Sequence, residues 1–145
     1  MTEIAALKAK YPQALSWTFG DSPALADTLA KLITEGRKTA TCSSLAAFQN
    51  DAEAPTVGRY SIVLDGRNQP VCVVRIVSLQ LIRFCDVTEA FARKEGEGDL
   101  SLRYWRQEHQ RFFENSGVFD ERMELVTEEF ELIEVVACQA STERT

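Results

Sequence analysis

Two runs rich in β-branched residues, 60–64 and 71–79, flank the tetrapeptide Asp65-Gly66-Arg67-Asn68. A link that short cannot hold a parallel crossover, so the two runs must pair antiparallel as a hairpin. The interval near Thr127, between predicted strands 123–126 and 130–136, imposes the same constraint. Helical signals are interspersed with these strands. Ile4, Leu7 and Tyr11 predict a short helix closed by Pro12, and residues 16–21 read as an extended aromatic segment. Ser22 and Pro23 then start a helix whose apolar face is Leu25, Leu29, Leu32 and Ile33, with Gly36 as a left-handed stop. Residues 44–49 form a helical turn, residues 88–95 a short helix stopped by Gly96, and Asp99 or Ser101 caps a helix running to about Glu114. This order predicts an α+β fold: a small, mainly antiparallel β-barrel with surrounding helices.

The 145 residues suit one domain spanning 1–145, with a core at about residues 15–136 and a frayed tail over residues 140–145. A chain of that size buries about two-thirds of its unfolded surface. No apolar run approaches the roughly 18 residues of a membrane span. The first residues, Met1-Thr2-Glu3-Ile4, lack the basic-then-apolar order of a secretory signal. Cys42, Cys72, Cys85 and Cys138 are scattered without a CxxC pair. Free thiols in a reducing cytoplasm are therefore expected. The net charge is −6, and the excess acid gathers in the last third of the chain. Tight binding to a nucleic-acid duplex normally needs a basic face, so the charge permits only a small nucleoside or short single-stranded RNA.

The stretch Gly36-Arg37-Lys38-Thr39-Ala40-Thr41 places a lysine three residues before a threonine, just beyond a helix end. Cations there complement the helix dipole, which is one reading. The other is a nucleophile–base pair, because the Thr41 hydroxyl is inert until something takes its proton. A P-loop is excluded: Lys31 stands where its first glycine is required. Downstream, Glu95-Gly96-Glu97-Gly98-Asp99 alternates carboxylates with glycines, which let the backbone bend the acids toward one point. They suit acid–base work or a hard divalent ion, against the alternative of a solvated loop whose Asp99 caps the next helix. A dinucleotide fingerprint fails, since Ser101 replaces its third glycine. Leu102, Trp105, His109, Phe112 and Phe113 are expected to share one helical face, which makes His109 a packing residue with one hydrogen bond. Arg106 beside them suits a phosphate or an ion pair with the acidic loop.

Five ordered motifs together resemble the ASCH domain family: Trp17-Thr18-Phe19-Gly20-Asp21, the Gly36–Thr41 stretch, residues 57–66, residues 95–102, and Tyr104-Trp105-Arg106-Gln107-Glu108-His109. The resemblance covers nearly the whole chain and implies a barrel related to the PUA RNA-binding fold. A shorter branch of the family removes the acetyl group from N4-acetylcytidine with a lysine, a threonine and a glutamate. Those roles fall here on Lys38, Thr41 and Glu95. Another relative is described as a metal-dependent ribonuclease. The Glu97-Gly98-Asp99 segment and the Tyr104-Trp105-Arg106 helix belong to the longer branch, and they lie beside the candidate glutamate.

The resulting expectation is an amidohydrolase acting on an N4-acylated cytidine-like nucleoside and needing no cofactor. Thr41 attacks, a partly neutral Lys38 acts as base, and Glu95 protonates or orients the leaving amine. Trp17, Phe19, Asp21, Arg37 and Arg106 are the candidate substrate-binding residues, with the aromatics stacking on the base. The alternatives are a ribonuclease that holds a divalent metal on Glu97 and Asp99, and a non-catalytic module for RNA or a modified nucleoside.

Overall fold

Asp65 closes the hairpin: its carboxylate accepts from the backbone N–H groups of Arg67 at 2.8 Å and Gln69 at 3.0 Å. This turn and the rest of residues 3–18, 22–52 and 54–136 are described by a computed structural model. Phe19, Asp21, Cys138 and the predicted tail lie outside the described residues. The elements run α1 (Glu3–Lys10), β1 (Leu15–Thr18), α2 (Pro23–Thr34), β2 (Ala40–Ser44), α3 (Leu45–Asn50), β3 (Tyr60–Leu64) and β4 (Pro70–Arg83), then α4 (Glu89–Glu95), α5 (Leu102–Asn115) and β5 (Glu124–Val135). The strands form one curled sheet in the order β1-β3-β4-β5-β2. The α+β fold expected from the short links is present, the expected small barrel taking the form, among the described residues, of a five-stranded half-barrel with helices around it.

One expectation about strands needs correction. The interval at Thr127 is not a link, because β5 is one continuous strand that pairs antiparallel with β4 on one side and β2 on the other. Thr127 and Glu128 are buried within it, so a polar run that reads as a break is interior sheet. The sheet is mainly antiparallel, as expected; among the described strands β1 alone pairs parallel, with β3, which the long connection through α2, β2 and α3 permits. Register shifts at Val73/Val74 and Ile76/Ser78 bend the long β4–β5 ladder.

Ser22 caps α2 as expected, its hydroxyl accepting from the Leu25 N–H at 3.1 Å. Leu29, Ala30 and Ile33 of that helix pack on Val63, Cys72, Val74, Ile76 and Phe130. Leu7 of α1 covers Ile62 and Val73 on the other face, as period-two alternation requires. A third cluster joins Phe84, Ala92, Trp105, Phe113 and Leu125, fixing α4 and α5 against the end of β5. Ser101, not Asp99, caps α5, accepting from the Tyr104 N–H at 3.0 Å, while Asp99 accepts from the Ser101 N–H at 2.9 Å. Phe112 leaves the predicted apolar face and is half exposed, since Phe113 beside it already points into the core. Cys42, Cys72 and Cys85 are free thiols. Among the described residues, no helix is long and apolar enough to cross a membrane.

Candidate active site

Gly96 ends α4 with φ +73°, and that turn lays the helix terminus directly on the strand leading into β2. A Cβ at Gly96 would sit 2.3 Å from the Arg37 carbonyl oxygen, so only glycine permits the approach. The Thr39 N–H donates to the Lys94 carbonyl at 2.7 Å and ties the two segments together. The consequence is a buried charge cluster. The Lys38 ammonium donates to Glu95 Oε1 at 2.6 Å, to Glu97 Oε2 at 2.6 Å and to the Glu95 carbonyl at 3.3 Å. The side chains of Lys38 and Glu95 are each 1% exposed.

Helix α5 completes the shell around Glu95. The Trp105 indole N–H donates to Glu95 Oε2 at 2.9 Å, and His109 Nε2 lies 3.3 Å from the same oxygen. His109 Nδ1 meets the Trp105 carbonyl at 2.9 Å, and the two rings stack with centroids 4.1 Å apart. Both imidazole nitrogens thus face oxygen acceptors, the arrangement that suits an imidazolium. His109 packs as expected, yet it is also a member of the charged site.

Burial alone would raise the Glu95 carboxyl, but Lys38 and His109 outweigh it and bring it down to about 2. Burial would likewise lower Lys38, and here Glu95 and Glu97 win and hold it above its ordinary value. Two sequence-based assignments change as a result. Lys38 is an ammonium with carboxylates on it, not a partly neutral base. Glu95 is an anion at neutral pH and has no proton to give a leaving group. Lys38 and Glu95 meet in one site, and both shifts favour the charged pair; orienting the leaving amine, the other role expected of Glu95, needs no proton.

The cluster forms the polar floor of a cavity of about 570 Å³. Thr41 and Cys42 of β2 line it, with Trp17 of β1 and Phe48 of α3. Tyr104, His109 and Phe112 contribute from α5, and Glu128 from β5. Glu128 is buried, its Oε1 has no hydrogen-bond partner, and burial followed by the charges of Glu95 and Asp51 holds the acid up to about 7. It was missed in the sequence because it sits in the polar run Thr127-Glu128-Glu129, which masks strand alternation.

The other candidates separate. Arg37 is exposed, pairs with Glu35 at 3.6 Å and does not border the cavity. Arg106 does not border it either; it donates to the Cys85 carbonyl at 3.1 Å rather than to a phosphate site or the acidic loop. Of the three loop carboxylates, Glu95 and Glu97 converge on Lys38, while Asp99 turns to the Ser101 backbone. Glu97 and Asp99 therefore do not fit a shared divalent ion. Cys42, Glu95 and His109 do bring ligand atoms within 4.8 Å of one another. Glu95 is already held by Lys38, Trp105 and His109, and the half-buried Cys42 thiol is pushed well above its ordinary range by desolvation, so this trio is poorly disposed to a metal.

A family model described as ASCH domain matches residues 15–134. The fold resembles the ASCH domain from Lactobacillus crispatus JV V101, with a TM-score of 0.78 and 32% identity over 89% of this chain and 85% of that one. It also resembles protein EF3133 from Enterococcus faecalis V583, with a TM-score of 0.81 and 33% identity over 98% of this chain and 90% of that one. No curated protein matches the chain.

Proposed function

The chain belongs to the ASCH domain family, a PUA-like fold, and on that footing we propose that it is a hydrolase removing the acyl group from an N4-acylated cytidine-like nucleoside. The observation that carries this reading is the convergence of Thr41 with the Lys38–Glu95–Glu97 cluster in one cavity. The volume, about 570 Å³, suits a nucleoside rather than a polymer. Trp17 and Phe112 supply apolar faces against which a base can lie.

In this scheme the Thr41 oxygen attacks the acyl carbon and forms an ester as the exocyclic nitrogen departs. The positive charge of Lys38, its three N–H groups already held by Glu95 and Glu97, acts from the cavity floor on the negative charge that develops on the carbonyl oxygen. Glu95 and Glu97 keep that ammonium charged and aimed. Water then hydrolyses the ester and frees Thr41.

The test is to incubate the purified protein with N4-acetylcytidine, with and without a chelator, and to follow cytidine by chromatography. Cytidine release that is unchanged by the chelator is expected. Absence of release, or release only with added magnesium or manganese, overturns the reading.

A further inference from the structure

The attack of Thr41 requires an acceptor for its hydroxyl proton, and Lys38, held as an ammonium, cannot be that acceptor. We propose, resting on the hydrolase reading, that Glu128 is the general base of Thr41: its carboxylate takes the hydroxyl proton and returns it to the departing nitrogen.

The sheet register brings the two residues together. Thr41 on β2 is directly opposite Glu128 on β5, in an antiparallel stretch that runs without a bulge from Ala40 to Ser44. Directly opposed residues project from the same face, with Cβ atoms about 4.5–5.5 Å apart. Both side chains line the cavity.

Glu128 has the chemistry the step needs. It is 6% exposed, and its buried Oε1 accepts no hydrogen bond. Buried polar atoms are ordinarily satisfied, so an unpartnered carboxylate oxygen on a residue that lines the cavity has capacity left for a partner in the reaction. The charged groups facing it are Glu95 from the end of α4 and Asp51 from the end of α3. Its neighbour on β4 is the uncharged Leu79. Burial and those two anions give the acid a value of about 7, where it can hold or release a proton. Glu95, at about 2, stays ionised across that range. Two buried carboxylates whose environments drive them apart divide the work between charge and proton transfer.

The step balances. The Thr41 O–H bond breaks as oxygen bonds to the acyl carbon, and the proton goes to Glu128. The C–N bond then breaks, and the nitrogen takes that proton from Glu128. In the second half Glu128 accepts a proton from water as hydroxide attacks the ester, and the Thr41 oxygen receives it on release.

Two readouts test the assignment on the intact protein across pH 5–9: single-turnover hydrolysis of N4-acetylcytidine, and acetylation of Thr41 by p-nitrophenyl acetate followed by intact mass. Wild-type rates should rise with pH through about 7. Glu128→Gln should lower both rates by about 100-fold or more and flatten the profile, while Glu128→Asp should keep the pH dependence at a reduced rate. Rates within tenfold of wild type in Glu128→Gln, or an unchanged pH profile, overturn the proposal. If wild type acetylates at Thr41 yet leaves N4-acetylcytidine intact, the substrate reading falls and the acetylation rates still decide the role of Glu128. If Thr41 is not acetylated at all, both fall.

Discussion

Removing the Lys38 side chain leaves Glu95 as an anion almost wholly out of water, with only the Trp105 and His109 contacts to hold it. Breaking a buried pair from one side typically costs about 3–5 kcal/mol. Lys38→Met should therefore lower stability by about that amount in urea denaturation, as well as abolishing hydrolysis. Thr41→Ala removes a half-buried hydroxyl from the cavity wall and should abolish turnover with a change of about 0.5 kcal/mol or less. A Lys38→Met protein as stable as wild type would show that the ammonium is not what keeps Glu95 charged. The residue types and their approximate place were legible: Lys38, Thr41, Glu95 and Glu97 do meet at one cavity. Their protonation states were not, because these depend on burial and on partners 57 and 59 residues away in sequence. His109 was hidden for a related reason. Its helical spacing identifies a packed face but not the acid from another element on which that face closes.

At the scale of elements, local signals carried far. The Ser22 and Pro23 start of α2, the Gly96 stop of α4 and the β3–β4 turn all form from chemistry within a few residues. Long-range pairing was less legible, since β5 serves two neighbours and continues through a polar run that locally resembles a break. The stop at Gly96 matters beyond α4, because it presses the helix end onto the backbone of Arg37 and Lys38. Gly36 offers a control: its φ is +77°, against +73° at Gly96, but nothing lies within 4 Å of the site a Cβ would occupy. Gly36→Ala should thus cost only the left-handed backbone preference, about 1–2 kcal/mol. Gly96→Ala carries the same preference and also a collision with main chain, which forces α4 away from β2. It should cost at least about 1 kcal/mol more, and hydrolysis should fall in the folded fraction as the Lys38–Glu95 contact opens. Urea denaturation of the two variants side by side measures the difference. Equal losses would mean that the junction tolerates a shift and that the close approach does not set the site.

For the whole molecule, one cavity carries charges that act on stability in opposite directions. Glu95 is brought from 4.5 down to about 2, so the folded state releases its proton more readily than the unfolded chain. That contribution is present above pH 4.5 and is lost as pH falls toward about 2. Glu128 is moved the other way, from 4.5 up to about 7, so the folded state keeps a proton that the unfolded chain gives up. Its contribution is present below pH 4.5 and is lost as pH rises to about 7. His109, raised from 6.5, adds stability below that pH that is lost as the imidazolium titrates. Asp99, exposed, and Glu134, at the surface and partly exposed, add little, because solvent screens them. The site should therefore place the stability maximum in mildly acid solution, near pH 4.5–5, and not at neutrality. Glu128→Gln isolates the alkaline side of that curve. A carboxyl raised from 4.5 to about 7 is disfavoured as the buried anion by on the order of 3 kcal/mol, which an uncharged amide does not incur. The variant should be more stable than wild type by an amount of that order at pH 8, with the gap closing as pH falls toward 4.5. Gaining stability while losing turnover is the pattern expected of a strained functional group. Urea denaturation of both proteins at intervals from pH 4 to 8 gives the comparison directly. A Glu128→Gln curve parallel to that of wild type would show that this carboxyl titrates as it does in the unfolded chain, and that burial beside Glu95 and Asp51 does not set its charge.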